Sequence, residues 1–201
     1  MQILHPFVGS LQQYAAAVAD PDRYRPPRCP QCAARHPLTA HGFYHRTLVD
    51  GEFDGIIPVR RYLCRACRRT VSLLPEFILP YLRFSLAIIA RFLQARLGAG
   101  ATLQAAAAAA GQLAMPYQRG QGWVRRFLRQ AAAVAAALVA WTPVVSAPTF
   151  ALRALHMLTA LGWIPAHRAL FAALRVHLLG WPASLAPAGR VATLRPAPLA
   201  S

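Results

Sequence analysis

Four cysteines stand in two matched pairs, Cys29-Pro-Gln-Cys32 and Cys64-Arg-Ala-Cys67, and the chain has no others. Each pair can present two thiolates from one tight turn, and the two pairs together match the spacing of a tetrahedral four-cysteine site for Zn²⁺. Four cysteine ligands leave no open position for water or substrate, so the metal is expected to be structural. His36, His41 and His45 lie between the pairs but are not needed as ligands. A disulfide framework suits a secreted chain, whereas the first twenty residues lack a basic segment followed by an apolar run and a small-residue cleavage site. The expected setting is therefore cytoplasmic, with reduced thiols. A redox dithiol needs one Cys-x-x-Cys and usually a βαβ context, and the flanking residues do not suggest one.

Between the pairs, His41 to Val49 is rich in aromatic and β-branched residues, Asp50-Gly51-Glu52 reads as a turn, and Ile56 to Leu63 reads as a second strand. A hairpin clamped at one end by metal is the build of a zinc ribbon, in which the ion substitutes for a core too small to fold alone. Phe43, Tyr44, Phe53 and Tyr62 are expected to cover its apolar face. Ahead of it, residues 1–27 read as a lead-in with one helix from Ser10 to Ala19, ended by the Asp20-Pro21-Asp22 turn.

All 22 basic residues are Arg, and the six acids are Asp20, Asp22, Asp50, Glu52, Asp54 and Glu76. Beyond Glu76 there are twelve Arg and no carboxylate side chain. GC-rich coding replaces Lys with Arg, but it does not remove Asp and Glu. So one-sided a charge attracts polyanions, and duplex DNA is the expected partner because guanidinium both neutralises phosphate and reads guanine edges. Arg60, Arg61, Arg65, Arg68 and Arg69 crowd the second cysteine pair and form the first candidate DNA-contacting patch. No small-molecule substrate is expected.

From residue 77 the apolar spacing becomes helical. Leu86, Ile89, Leu93 and Leu97 share one face of a helix from Phe84 to Leu97, stopped by Gly98 and Gly100. Thr102 is placed to cap a second helix to Ala110, which Gly111 stops. A third begins after Pro116 and runs to Gln130. A helix, a small-residue helix and a basic helix in this order suggest a helix-turn-helix. On that reading Tyr117, Arg119 and Gln121 reach base edges, Arg125, Arg126 and Arg129 grip phosphates, and Trp123, Phe127 and Leu128 pack inward. Gly120 and Gly122 count against it, since each costs about 1 kcal/mol relative to Ala inside a helix.

Residues 131–201 carry less information. Ala131 to Trp141 continues the helix, Pro143 and Pro148 interrupt, amphipathic segments follow at about Phe150–Leu161 and Ala166–Leu179, and a Pro-rich tail ends the chain. The uncharged run from Gln130 to Leu152 holds two prolines and much Ala, so a membrane span is not expected. Packing on the preceding helices and homodimer formation are both open to this region.

The block Arg60-Arg61-Tyr62-Leu63-Cys64-Arg65-Ala66-Cys67-Arg68-Arg69-Thr70, with Cys29-Pro-Gln-Cys32 and His41-Gly42-Phe43-Tyr44-His45-Arg46, resembles the N-terminal zinc ribbon of bacterial insertion-sequence transposases. It is especially similar to short transposase-like proteins in which Leu74-Pro75-Glu76-Phe77-Ile78-Leu79-Pro80-Tyr81 has a counterpart. The likeness covers about residues 28–130 and implies recognition of DNA by ribbon plus helix-turn-helix. Full transposases of this kind also carry three carboxylates that hold two Mg²⁺ ions for phosphoryl transfer, and this chain has no acid after Glu76 to do so. The expected protein is α+β and mostly helical, with a lead-in (1–27), a zinc ribbon (28–76), a helix-turn-helix-like region (77–130) and an Ala/Pro/Arg-rich helical tail (131–201). It is expected to bind duplex DNA without catalysing strand transfer. The competing expectation is a zinc-ribbon module that binds a protein through its apolar helices.

Overall fold

A computed structural model describes residues 2–7, 11–20, 22–51 and 53–180. Ser10, Pro21 and Glu52, and the Pro-rich tail beyond Gly180, lie outside the described residues. Four strands form one mixed sheet: β1 (Gln2–His5), β2 (Leu38–Asp50), β3 (Phe53–Cys64) and β4 (Thr70–Pro75), in the order β1-β4-β3-β2. The expected hairpin is β2–β3, longer than the sequence indicated at both ends, with Asp50 paired to Phe53 and Gly51 at φ +57°. Only a residue tolerant of the left-handed region turns the chain that tightly at low cost. A bulge between Ala40 and Phe43, where Gly42 has φ +73°, shifts the register midway along the hairpin.

The sheet has two strands that the sequence reading did not include. β4 continues the hairpin antiparallel to β3, and β1 lies parallel on its far side, pairing Gln2 with Ser72 and His5 with Pro75. The lead-in is thus part of the sheet. It also supplies α1 (Leu11–Ala19), whose Tyr14 and Val18 bury against Leu48, Ile57, Leu74 and Ile78. Tyr14 donates to the Pro58 carbonyl at 2.9 Å, so its buried hydroxyl is satisfied. A second small cluster joins Cys29, Leu38, Tyr62, Cys64, Val71 and Leu73 beside the cysteine pairs.

The helical half has the largest core. α2 (Leu86–Leu93) starts at Ser85, whose hydroxyl accepts from the Ile88 amide at 3.3 Å, and runs into a π-helical turn, Gln94–Gly98, in place of a single helix to Leu97. α3 (Leu103–Ala109) has the expected Thr102 cap, and Gly111 at φ +72° ends it. α4 (Tyr117–Leu138) is one unbroken helix across the boundary placed at residue 130. Trp123 packs edge-on between Phe84 and Phe92, and Phe127 is fully buried. Leu128, expected inside, is 49% exposed, because it lies about 100° round the helix from Phe127, beyond the edge of the buried line through Trp123, Phe127 and Ala131.

Gly120 has a packing reason. A Cβ there would stand 2.6 Å from the Phe92 ring, so α4 reaches α2 only without one. α5 (Phe150–Leu161) keeps its expected bounds, and α6 (Trp163–Leu174) begins and ends earlier than read, turning 105° from α5 at Gly162. No single helix among the described residues is long and apolar enough to cross a membrane.

Glu76 ties the two halves together. It is 1% exposed, receives both Nε (2.5 Å) and Nη2 (2.6 Å) of Arg168 from α6, and accepts from the Phe7 amide at 3.3 Å. Its carbonyl meets Nδ1 of buried His167 at 3.3 Å.

Candidate metal centre and nucleic-acid interface

The two cysteine turns are built alike. In each, the leading cysteine's amide donates to the carbonyl five residues on, Cys29 to Ala34 at 3.0 Å and Cys64 to Arg69 at 2.9 Å. The amide four residues on returns to that cysteine's carbonyl, from Ala33 and from Arg68, both at 2.9 Å. Ala33 and Arg68, each directly after a second cysteine, take left-handed φ values of +60° and +58°. An amide also points at each leading sulfur, Gln31 to Cys29 at 3.4 Å and Cys67 to Cys64 at 3.5 Å. Equal Cys-x-x-Cys spacing therefore yields equal turns, and β2–β3 brings them together.

All four Sγ atoms lie within 4.8 Å of one another, with Cys29–Cys67 and Cys32–Cys64 at 3.8 Å. A disulfide needs about 2.05 Å, whereas a tetrahedron with metal–sulfur bonds near 2.3 Å has edges of about 3.8 Å. The four cysteines could hold a metal ion. Each close pair takes one sulfur from either turn, so an ion there would join the turn ahead of β2 to the end of β3. Burial pushes the Cys29 thiol up, but amide hydrogen bonds from Cys32 and Gln31 and the neighbouring thiols outweigh it and bring it to about 7. Cys67 is pushed up to about 11: the Arg69 backbone favours its thiolate, but burial and the other three cysteines oppose it more strongly. Four sulfurs this close cannot all ionise alone, and a divalent cation removes that repulsion.

Five exposed guanidinium groups surround this end of the sheet: Arg65, Arg68 and Arg69 by the second turn, Arg28 and Arg35 by the first, the latter two bridged as a short antiparallel pair. Arg28 and Arg35 were missed in the sequence, although each stands within three residues of a cysteine. Arg61 is half-buried. Arg60 faces inward instead: it is 5% exposed, donates to the Ala19 carbonyl at 2.7 Å and lies 4.2 Å over the Phe43 ring. Its charge fastens α1 to the hairpin and is not presented to solvent.

On α4, Tyr117, Arg119, Arg125 and Arg129 are exposed and Gln121 is half-buried. Arg119 rests over Phe84 at 5.3 Å. Arg126 is engaged within the fold, donating to the carbonyls of Leu179 at 2.9 Å and Gly180 at 2.6 Å, and burial followed by nearby Arg129 lowers its pKa. Residues 110–116 connect α3 to α4, a longer link than the turn of about 3–4 residues in a helix-turn-helix. The described acids are dispersed and engaged. Asp22 pairs with Arg25 and Asp54 with Arg83, Asp50 accepts from Ser85 Oγ at 2.6 Å, Asp20 accepts from the Asp22 amide at 2.8 Å, and Glu76 holds Arg168.

Residues 29–112 match a family described as a domain of unknown function (DUF6431). The match begins at the first cysteine of the four-sulfur cluster and ends just beyond α3, covering less than half of the chain. It takes in both cysteine turns, β2 to β4, α2 and α3, and leaves out α4 to α6. No curated protein and no solved structure matches this chain.

Proposed function

We propose that this chain is a zinc-dependent duplex-DNA-binding protein, related to the DNA-recognition region of transposases and without catalytic carboxylates of its own. One observation carries the reading: a four-sulfur cluster, all within 4.8 Å and with two edges of 3.8 Å, lies at the same end of the sheet as Arg28, Arg35, Arg65, Arg68 and Arg69, all exposed. Zn²⁺ bound by Cys29, Cys32, Cys64 and Cys67 would fix both turns, and with them the spacing of these guanidinium groups. The sheet then acts as a zinc ribbon whose basic rim neutralises phosphate. On α4, Tyr117, Arg119, Gln121, Arg125 and Arg129 add a second contact region, while Arg60 and Arg126 support the fold around it.

The experiment is fluorescence-anisotropy titration of the zinc-loaded chain with duplex DNA at 50 and 200 mM salt. Five phosphate contacts give a slope of about −4.5 in log K against log salt, so affinity should fall roughly 500-fold between the two. Salt-insensitive binding, or none, would refute the proposal. A second reading, a protein-interaction module, draws on the exposed apolar residues Val139, Trp141, Val144 and Phe150 around the α4–α5 connection. A homodimer formed there is compatible with DNA binding elsewhere on the chain.

A further inference from the structure

Among the described residues Gly122 has no packing reason to be glycine. It lies inside α4 and has helical backbone, with no left-handed angle to accommodate. A Cβ built on it meets no atom of the described residues within 4 Å, whereas one on Gly120, a half-turn away, would collide with Phe92. Among the described residues nothing compensates the helix-propensity penalty at Gly122.

Its surroundings suggest where the compensation lies. The buried line of α4 runs through Gly120, Trp123, Phe127, Ala131 and Val134, so the opposite line carries Gln118, Gln121, Gly122, Arg125 and Arg129. Gln118, Arg125 and Arg129 are exposed, and Gln121 and Gly122 half-exposed. From Gln118 to Arg129 this stripe is about 16 Å long, and it holds two amides, two guanidinium groups and no acid. Beyond it the same face turns to alanine at Ala132, Ala133 and Ala136. Amides pair with adenine and guanidinium with guanine at the edges in a major groove about 12 Å wide.

We infer that the Gln118–Arg129 face of α4 enters the major groove of B-form DNA, and that Gly122 is bare so that the duplex can approach the helix backbone between the two glutamines and the two arginines. The inference rests on the DNA-binding reading above and assigns the groove-facing residues within it. Gln118 and Gly122 join the contact set, and Arg119, which lies toward Phe84, acts at its margin. An A-form RNA duplex is excluded as the partner because its major groove is too deep and narrow for this face.

The test compares the zinc-loaded full chain with Gly122→Ala, Gly122→Leu and Ala136→Leu, measuring melting temperature and affinity for DNA and RNA duplexes. Gly122→Ala should melt with the parent or about 2–4 °C above it, yet bind DNA roughly tenfold more weakly. Gly122→Leu should bind more weakly still, and Ala136→Leu should bind as the parent does. The inference is overturned if both Gly122 variants retain parental affinity, if Ala136→Leu loses as much as they do, or if the parent prefers the RNA duplex. A parent chain that binds no duplex at all would instead remove the DNA-binding reading itself.

Discussion

Lowering the pH from 7 to 5 is expected to loosen α6 from the segment that follows it, because two histidines are sealed between them. His167 is 0% exposed and His177 1%. The Glu76 carbonyl can only accept, so the His167 Nδ1 facing it at 3.3 Å carries the proton. The Nε2 of neutral His167 must then accept from His177 Nδ1, 3.0 Å away. Charging His167 would place a cation in a dry site and would force His177 to move its proton from Nδ1 to Nε2. Burial accordingly holds His167 down to about 4, and burial, His167 and Arg126 hold His177 down to about 3. In the unfolded chain both rings take up protons near 6.5, while the folded chain resists until far lower pH. Stability is therefore complete above about pH 6.5 and is lost as pH falls from there toward 4, by about 2 kcal/mol per histidine at pH 5. Urea unfolding at pH 7 and 5, followed by tryptophan fluorescence, measures this in the parent and in the double variant His167→Gln, His177→Gln. Any release in acid of a metal held by the four cysteines would affect both proteins and cancel in the difference. The parent should lose about 4 kcal/mol more than the variant between the two pH values; equal losses would refute the buried neutral pair.

Cys64→Ser should abolish stoichiometric zinc binding, with loss of the sheet's protection from hydrogen exchange while α2 to α5 keep theirs, and retained zinc by mass spectrometry would remove the metal centre. The Glu76–Arg168 pair should respond asymmetrically in denaturant melts. Arg168→Met leaves a carboxylate buried and should cost about 3–5 kcal/mol, whereas Glu76→Gln leaves an arginine that can turn to water and should cost less. Gly120→Ala should destabilise by about 1–3 kcal/mol because its methyl must displace the buried Phe92 ring and presses on the Met115 methyl, and a neutral result would refute the tight α2–α4 contact. Arg68→Gly should stabilise the second cysteine turn by about 1 kcal/mol by relieving a left-handed backbone, measured as a higher melting temperature, while DNA affinity falls through loss of one cation.

Features set by neighbours along the chain were legible in the sequence. Aromatic and β-branched content with the Asp50-Gly51-Glu52 turn marked β2 and β3, Thr102 and Gly111 marked the ends of α3, and the cysteine spacing marked the four-sulfur cluster, because each depends on a few adjacent residues. β1 and β4 were not legible: they are short, and Gln2 finds Ser72 only once the hairpin exists. The basic residues were the least legible. Arg60 and Arg126 lie among solvent-facing arginines in sequence, but their partners are the carbonyls of Ala19, Leu179 and Gly180, and a carbonyl has no side-chain signature. Gly120 and Gly122 read identically as helix-weakening residues until the Phe92 ring distinguished them.

Local chemistry alone therefore determined that this chain makes a cysteine-clamped hairpin followed by helices and carries a strongly positive charge. Only the tertiary structure decided which arginines face solvent, which glycine is needed for packing, and that the last acid, Glu76, is buried under Arg168 from 92 residues away. Turn geometry and periodicity are fixed by covalent neighbours, whereas burial and ion pairing are fixed by whichever distant groups the packed core brings within a few ångströms.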